Sequence, residues 1–295
     1  MIFRLIVSVF FVFLLYPKSY GSNTKEILYS IDSPFTYHWL SNSQTESDIV
    51  QSRIKIPIGY SRKKTEANSF TAWLRHLPLK EEGTKVKLYN GQLKNRQDVH
   101  EAIVDIDIGK SDLQQCADAV IRLRAEYLYA QKKYDDISFN FTNGQSIPYK
   151  EWRSGKKITF KNNKAIWINS GKDQTGYQSF KKYNNLIFAY AGTYSLNKEM
   201  LPVPKIENLD AGDVFIQGGF PGHAVIVIDV VLNTNTGDKC FLLAQSYMPA
   251  QNIHILKNKY HSELSPWYSI SDLKNDGRLI TPEWTFELRD LKRFK

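Results

Sequence analysis

Residues 211–248 read AGDVFIQGGFPGHAVIVIDVVLNTNTGDKCFLLAQSYM, and they set the architecture. His223 opens the apolar run AVIVIDV, which predicts a buried core strand. Turn-forming residues at 233–238 follow, and CFLLAQSYM then predicts the returning strand of a hairpin. Strands joined by a short turn are antiparallel, so this segment predicts the centre of an antiparallel sheet.

Helical patterns flank this hairpin. SDLQQCADAVIRLRAEYL (111–128) and SFKKYNNLIFAYAGTYSL (179–196) carry apolar residues at helical spacing, and Ser69 is suited to cap a short helix. KVKLYNG, HEAIVDIDIG, ISFNFTNG, IHILK and TFEL predict short strands. The polar segment 143–176 predicts an insertion with little core of its own. This mixture predicts an α+β fold, with a helix packed on an antiparallel sheet.

The first 21 residues have the pattern of a secretory signal peptide. MIFR is a short basic start, LIVSVFFVFLLY is an apolar run of 12 residues, and small residues occupy positions 19 and 21. The run is shorter than the roughly 20 residues that a spanning helix needs. We expect cleavage after Gly21, export to the periplasm or beyond without a stable membrane anchor, and one α+β domain over residues 22–295.

The chain of 295 residues has a formal net charge of +9. A basic exported protein favours anionic partners, such as peptidoglycan or another envelope polymer. The lysines are dispersed rather than clustered, so nucleic acid is not expected as a partner. Neither the histidines nor Cys116 and Cys240 have metal-ligand spacing, so no metal or cofactor is expected.

Cys116 and His223 form a candidate catalytic pair. A cysteine near the positive end of a helix ionises more easily, and a histidine can act as its proton partner. If Ser111 caps the helix with Gln114 in a capping box, Cys116 lies in the second turn; a break at Gln114–Gln115 places it in the first. The alternative is that Cys116 is a small residue on the buried helix face.

His223 is distinguished from the other histidines by its surroundings, because Pro221 and Gly222 precede it and a core strand follows. The alternative is a strand-end histidine bonded to a nearby carbonyl. His254, in the short alternating segment IHILK, reads as an ordinary exposed residue.

A third group commonly orients the imidazole of such a pair. The returning strand offers Gln245 and Ser246, whose side chains point to opposite faces. Pairing of Leu232 with Lys239 gives Ser246 the face of His223, whereas a shift by one residue gives that face to Gln245. We favour Gln245, whose amide oxygen can accept a hydrogen bond from the ring.

The order of a helix-borne cysteine, a strand-opening histidine after AGDV, and a polar residue in LLAQSY resembles the NlpC-type and CHAP-type cell-wall hydrolases. The resemblance implies a papain-like core. A longer series of segments resembles one exported bacterial family of unknown function; it includes RIKIPIGYSR, TAWLRHLPL, LQQCADAVIRLRAEYL, YAGTYSL, SPWY and TPEW. Around the candidate nucleophile, LQQCAD differs from the DCSG sequence that is usual in these hydrolases. At the third catalytic position, CHAP-type enzymes generally carry an acidic or amide pair, whereas this strand reads AQSY.

Two functions follow as hypotheses. The first is a cysteine-dependent amide hydrolase of peptidoglycan, in which backbone N–H groups near Cys116, and Gln115 as an extra donor, stabilise the oxyanion. The second is a non-catalytic envelope protein of the same fold that binds glycan or peptide. Its stacking surfaces would include Trp152, Trp267, Tyr268 and Trp284.

The hairpin also bears on the two cysteines. His223 begins one strand and Cys240 begins the other, so they lie at opposite ends, roughly 30 Å apart. A disulfide needs Cα atoms within about 7 Å. If Cys116 lies near His223 it cannot bond to Cys240, so we expect two unpaired cysteines, with Cys240 buried in a strand.

Overall fold

A computed structural model describes residues 35–40 and 48–295 of the chain. The segment expected to be a signal peptide, residues 1–21, lies outside these ranges. Among the described residues, no helix combines the length and the apolar character needed to cross a membrane.

Seven α-helices occur in the described part of the chain. They are α1 (Val50–Arg53), α2 (Phe70–Arg75), α3 (Cys116–Ala130), α4 (Tyr149–Arg153), α5 (Tyr177–Tyr190), α6 (Thr193–Glu199) and α7 (Ile270–Asp276). Single 3-10 turns lie at Tyr134–Asp136, Ile206–Asn208 and Leu288–Asp290. The predicted helix after Ser69 is α2, and the Ser69 side chain accepts a hydrogen bond from the Ala72 N–H.

The strands are short except at the predicted hairpin. They are β1 (Tyr60–Arg62), β2 (His100–Ile103), β3 (Ser138–Asn140), β4 (Ser146–Pro148), β5 (Lys156–Lys161), β6 (Lys164–Asn169), β7 (Leu201–Pro202), β8 (Val214–Gln217), β9 (His223–Asn233), β10 (Lys239–Gln245), β11 (His254–Leu256), β12 (Tyr268–Ser269), β13 (Arg278–Ile280), β14 (Thr285–Glu287) and β15 (Leu291–Arg293).

One large antiparallel sheet organises the described residues. Its order is β2-β11-β10-β9-β8-β15-β7, and β1 and β12 pair with β9 and β10. The β9–β10 hairpin lies at its centre, as the apolar runs predict, because central strands are covered on both faces. The prediction of an α+β fold with helices on an antiparallel sheet is confirmed.

Each face of the central hairpin contributes to a different hydrophobic cluster. Ala224 and Ile226 belong to the larger cluster, which includes residues of α2, α3 and α5. Val225 and Val227 belong to a smaller cluster, which includes Phe286 and residues of α7. We call these the α3 face and the α7 face of the sheet. The alternation follows from the two-residue period of a strand.

A β-bulge lies in the middle of β9. Lys239 pairs with Leu232 and Leu242 pairs with Asp229, but Leu243 pairs with Val227. Ile228 is therefore an extra residue, and the register beyond it is shifted by one. Both registers considered for the hairpin occur, one on each side of the bulge.

The segment 143–176 contains more structure than its composition predicts. It holds β4, α4 and the β5–β6 hairpin, and it buries Ile147, Tyr149 and Trp152 in the core. These three residues pack in the larger hydrophobic cluster, whereas Phe160, Ile166 and Ile168 of the β5–β6 hairpin are exposed, so the segment adds to the common core rather than forming one of its own.

Two predicted strands differ from the structure. KVKLYNG forms only single bridges at Lys87 and Leu88, because the turn at Gly91, where φ is +86°, folds the chain back at once. TFEL forms β14, but it pairs with β13 in a separate two-stranded sheet.

Candidate functional site

His223 is the first residue of β9, and it pairs with Gln217, the last residue of β8. The connection before it turns tightly, and a Cβ atom on Gly222 would lie 2.4 Å from Thr193 Oγ1 and 2.6 Å from the Gly219 carbonyl oxygen. Only glycine fits that approach. The sequence Gly222-His223 therefore fixes where the strand, and the imidazole, begins.

The imidazole of His223 is 1% exposed and is enclosed by aromatic rings. Its centroid lies 4.8 Å from the ring of Tyr247, 5.3 Å from that of Trp284 and 5.9 Å from that of Phe286. Burial lowers the pKa of His223 to about 4, because the charged imidazolium loses its hydration. The ring is neutral at physiological pH.

His223 Nε2 lies 2.8 Å from Gln245 Oε1. Beyond the bulge, Gln245 shares the α7 face with His223, so the shifted register brings the two side chains together. Ser246 points to the other side, where its Oγ lies 3.0 Å from the carbonyl oxygen of Gln114 and 3.0 Å from that of Gln251. Ser246 thus ties loops together, and Gln245 contacts the ring.

Gln245 Nε2 contacts two further groups. It donates to Glu283 Oε2 at 2.7 Å, and it lies 3.3 Å from His254 Nε2. His254 Nδ1 lies 2.8 Å from the carbonyl oxygen of Asn252. Among the described residues, these contacts link the two buried histidines through one amide.

The network fixes the tautomers of both histidines. A carbonyl oxygen only accepts, so His254 donates from Nδ1 and keeps its lone pair on Nε2. The Gln245 NH₂ group then donates to His254 and to the Glu283 carboxylate. Its Oε1 must therefore accept from His223 Nε2–H. The lone pair of neutral His223 lies on Nδ1.

His254 corrects a sequence-based expectation, because it is fully buried rather than exposed. Burial lowers its pKa to about 3. The alternation in IHILK suggested one exposed face, but β11 lies between β10 and β2 and both of its faces are covered. Lys94 and Glu283 were also missed, because they lie in loops far apart in the sequence.

Cys116 occupies the first position of α3, with Gln115 as the N-cap. The break at Gln114–Gln115 therefore occurs, and Asp118 Oδ2 accepts a hydrogen bond from the Gln115 N–H at 3.1 Å. Asp118 closes the helix start in place of the capping box considered at Ser111. The cysteine thus lies in the first turn, where the helix field is strongest.

The Cys116 thiol is 6% exposed. The nearby backbone N–H groups of Cys116, Ala117 and Ala224 favour a thiolate, yet burial, with a smaller contribution from Asp118, raises the pKa of the thiol to about 11. The resting group is a neutral thiol.

Cys116 and His223 approach the same strand end from different sides. The thiol lies beside the N–H of Ala224, which belongs to the α3 face, whereas the His223 ring packs on Phe286 of the α7 face. The Tyr247 ring packs on that of His223, with centroids 4.8 Å apart. Among the hydrogen bonds of the described residues, none joins the thiol to the imidazole.

The other candidate residues are Gln115, the expected extra oxyanion donor, and the aromatic residues expected to stack on sugars. Gln115 Nε2 donates to Asp112 Oδ1 at 3.0 Å, so its amide is engaged away from the thiol. Trp152, Trp267 and Tyr268 are buried and offer no stacking surface, which corrects that expectation; Trp284 is half-buried.

Both cysteines are unpaired and buried, as predicted from the hairpin. Cys240 lies in β10 opposite Val231 and Ser269, at the far end of the hairpin from His223. In the described ranges, no three histidine, cysteine or carboxylate side chains are grouped so as to hold a metal ion.

A model of one protein family, described as Domain of unknown function (4846), matches residues 50–293, which is most of the chain. The match spans the whole site, from α3 to the loop that carries Glu283. Comparisons with curated proteins and with solved structures give no match.

Proposed function

The chain belongs to the family described as Domain of unknown function (4846), and from its site we propose that it is an exported cysteine-dependent amide hydrolase of peptidoglycan or a related envelope peptide. Cys116 is the nucleophile, His223 the general base, and Gln245 the residue that orients the imidazole. The observation that carries this proposal is the meeting of the α3 N-terminus with the start of β9, where the His223 ring is bonded to Gln245 at 2.8 Å.

The order of the elements supports the reaction class. A helix-borne cysteine, a strand-opening histidine and a polar residue on the next strand occur in the same order in the NlpC-type and CHAP-type hydrolases that the sequence resembles. A papain-like arrangement of helix and sheet is part of the same proposal. The unpaired state of Cys116 is a requirement that the site meets.

The reaction proceeds through an acyl-enzyme. The Cys116 sulfur attacks the amide carbonyl carbon as its proton passes to His223 Nδ1, directly or through one water molecule. A C–S bond forms, and the C–N bond breaks as His223 returns the proton to the amine that leaves. Water then hydrolyses the thioester, giving a carboxylate and the free thiol.

The resting protonation states favour general-base catalysis over a preformed ion pair. The pKa of Cys116 is raised to about 11 and that of His223 is lowered to about 4, so both groups are neutral near pH 7. The backbone N–H groups of Cys116 and Ala117 lie near the sulfur, and in this proposal they are the donors for charge that develops next to it during attack.

The substrate class rests on location and charge. The expected signal peptide directs the protein to the envelope, and the net charge of +7 that remains after removal of Arg4 and Lys18 favours anionic polymers there. Peptidoglycan offers both an anionic surface and peptide bonds.

A non-catalytic envelope protein of the same fold is the second candidate. The observation that favours it is the burial of the Cys116 thiol, which leaves the nucleophile neutral and 6% exposed. In that case the cysteine packs in the core, and the protein binds glycan or peptide without cleaving it.

Digestion of purified peptidoglycan separates the two candidates. Wild type, Cys116→Ala and Cys240→Ala are incubated with the same material, and soluble fragments are identified by mass spectrometry. Cys240→Ala is the matched control, because it removes an equally buried thiol far from the site. A hydrolase releases fragments with wild type and Cys240→Ala but not with Cys116→Ala. Equal products from all three would end the nucleophile assignment, and no products but retained binding would favour the second candidate.

A further inference from the structure

The segment Thr281–Trp284, TPEW in the sequence, covers the His223 side of the site. Thr281 closes a turn by bonding the Trp284 carbonyl oxygen through its N–H and its Oγ1, each at 2.8 Å. The Trp284 ring packs 5.3 Å from the His223 ring, and its Nε1 donates to Gln217 Oε1 at 3.0 Å. This tight turn holds Glu283 at a fixed place beside Gln245.

Glu283 forms a buried ion pair with Lys94. Lys94 Nζ lies 2.8 Å from Oε1 and 3.0 Å from Oε2, and the two side chains are 7% and 10% exposed. Removing two charges from water is costly, so a buried pair requires further hydrogen bonds. The 2.7 Å bond from Gln245 Nε2 to Glu283 Oε2 is such a bond. A carboxylate paired with an ammonium group accepts hydrogen bonds and donates none.

We propose that Glu283, paired with Lys94, is a positioning residue that fixes the orientation of the Gln245 amide and thereby the tautomer of His223. The carboxylate keeps the NH₂ end of Gln245 turned toward itself, so Oε1 faces His223 Nε2–H. The lone pair of His223 then stays on Nδ1. The role of this tautomer in catalysis rests on the proposed function. The tautomer itself is a property of the protein without substrate.

The alternative orientation shows why the carboxylate matters. If the Gln245 amide turned over, its NH₂ would face His223 Nε2 and would select the tautomer with the proton on Nδ1. That tautomer cannot take a proton at Nδ1. His254 is the other acceptor for the NH₂ group, and its longer contact of 3.3 Å makes it the weaker restraint.

The first test measures the tautomer without substrate. Long-range ¹H–¹⁵N correlation spectra of histidine-labelled full-length protein distinguish a protonated ring nitrogen from one with a lone pair, and His223→Gln assigns the signals. We expect His223 to be protonated on Nε2 in wild type. In Glu283→Gln, whose amide can both donate and accept, we expect both His223 nitrogens to have averaged shifts. Glu207→Gln, which breaks the exposed Glu207–Lys274 pair, is the matched control and should match wild type.

If Glu283→Gln does not fold, the double variant Lys94→Met/Glu283→Met takes its place. It removes both charges, so no buried charge is left without a partner. Averaged His223 shifts in this variant support the proposal. A wild-type His223 protonated on Nδ1, or a folded Glu283 variant with an unchanged His223 spectrum, overturns it.

Peptidoglycan hydrolysis, measured beside the tautomer, distinguishes a failure of this inference from a failure of the proposed function. If the enzyme is active, Glu283→Gln lowers kcat by about twofold with a smaller change in KM, because about half of the molecules then carry a base at Nδ1. Altered tautomers without hydrolysis by any variant would retain the inference and reject the function. If hydrolysis depends on Cys116 but the His223 tautomer does not change in the Glu283 variants, the proposed function is retained and this inference is rejected.

Discussion

The proposed chemistry depends on two neutral groups that approach the start of β9 from different sides. Cys116 gains from the helix N-terminus and from nearby N–H groups, but the loss of hydration on burial outweighs both. His223 is likewise neutral because aromatic rings replace water around it. At the residue scale, burial therefore determines the protonation states.

The thiol of Cys116 should react slowly and with a steep pH dependence. In a Cys240→Ala background, alkylation by iodoacetamide is expected to speed up about tenfold per pH unit between about pH 7 and 9, since the thiolate fraction rises tenfold per unit below a pKa of about 11. Mass spectrometry of the modified protein gives the rate. A rate that is already constant at neutral pH would mean a preformed thiolate.

The two buried histidines should make the protein less stable in mild acid. Their pKa values fall from 6.5 when unfolded to about 4 for His223 and about 3 for His254. Between those values the unfolded chain binds more protons, so the free energy of unfolding decreases as pH falls below 6.5. At pH 5 each histidine costs about 2 kcal/mol relative to pH 7.5.

Urea unfolding at several pH values measures this slope. His254→Gln should flatten the dependence between about pH 4 and 6.5. An equal slope in wild type and His254→Gln would contradict the buried neutral ring.

At the scale of elements, one buried carboxylate joins β9 to its neighbours. Asp229, at the bulge, is fully buried and bonds Arg62 of β1 and Arg75 of α2, each at 2.6 Å. Arg75 also donates to the Val230 carbonyl oxygen at 3.2 Å. Asp229 thus fixes β1 and α2 to the central hairpin at the bulge. The same bulge sets the register that brings Gln245 to His223.

Asp229→Ala should be strongly destabilising. It leaves two arginine charges without their shared partner, and breaking a buried ion pair costs about 3–5 kcal/mol. Urea unfolding of the variant gives the change in the free energy of unfolding. Asp98→Ala, which breaks exposed pairs with Arg96 and Lys259, is the comparison and should have little effect. Similar values for both variants would contradict the role of Asp229.

At the scale of the whole molecule, the expected export is a separate prediction. The mature protein should begin near Ser22 and occur outside the cytoplasm, because residues 1–21 have the charge, apolar run and small residues of a signal peptide. N-terminal sequencing of protein recovered from the envelope fraction tests this. A retained Met1 would reject cleavage, whatever the outcome for the site.

The sequence by itself determined the features that depend on local order. The apolar runs on both sides of the 233–238 turn predicted β9 and β10, helical spacing predicted α3 and α5, and Ser69 predicted the start of α2. The position of His223 at the start of its strand followed as well, whereas the first and the second turn of α3 both stayed open for Cys116. Local pattern suffices there because backbone hydrogen bonding and apolar periodicity act within a few residues.

Only the tertiary structure decided which polar groups meet. The bulge at Ile228 selects Gln245 for the His223 face, and the alternation along β9 does not mark the bulge because residues on both faces of the strand are buried. His254, on an inner strand whose alternation suggested exposure, and Glu283, in a distant loop, both contact Gln245. Lys94, in another loop, pairs with Glu283. Such contacts depend on how strands pair and loops fold back, which is set by the packing of the whole sheet and not by neighbours in the chain.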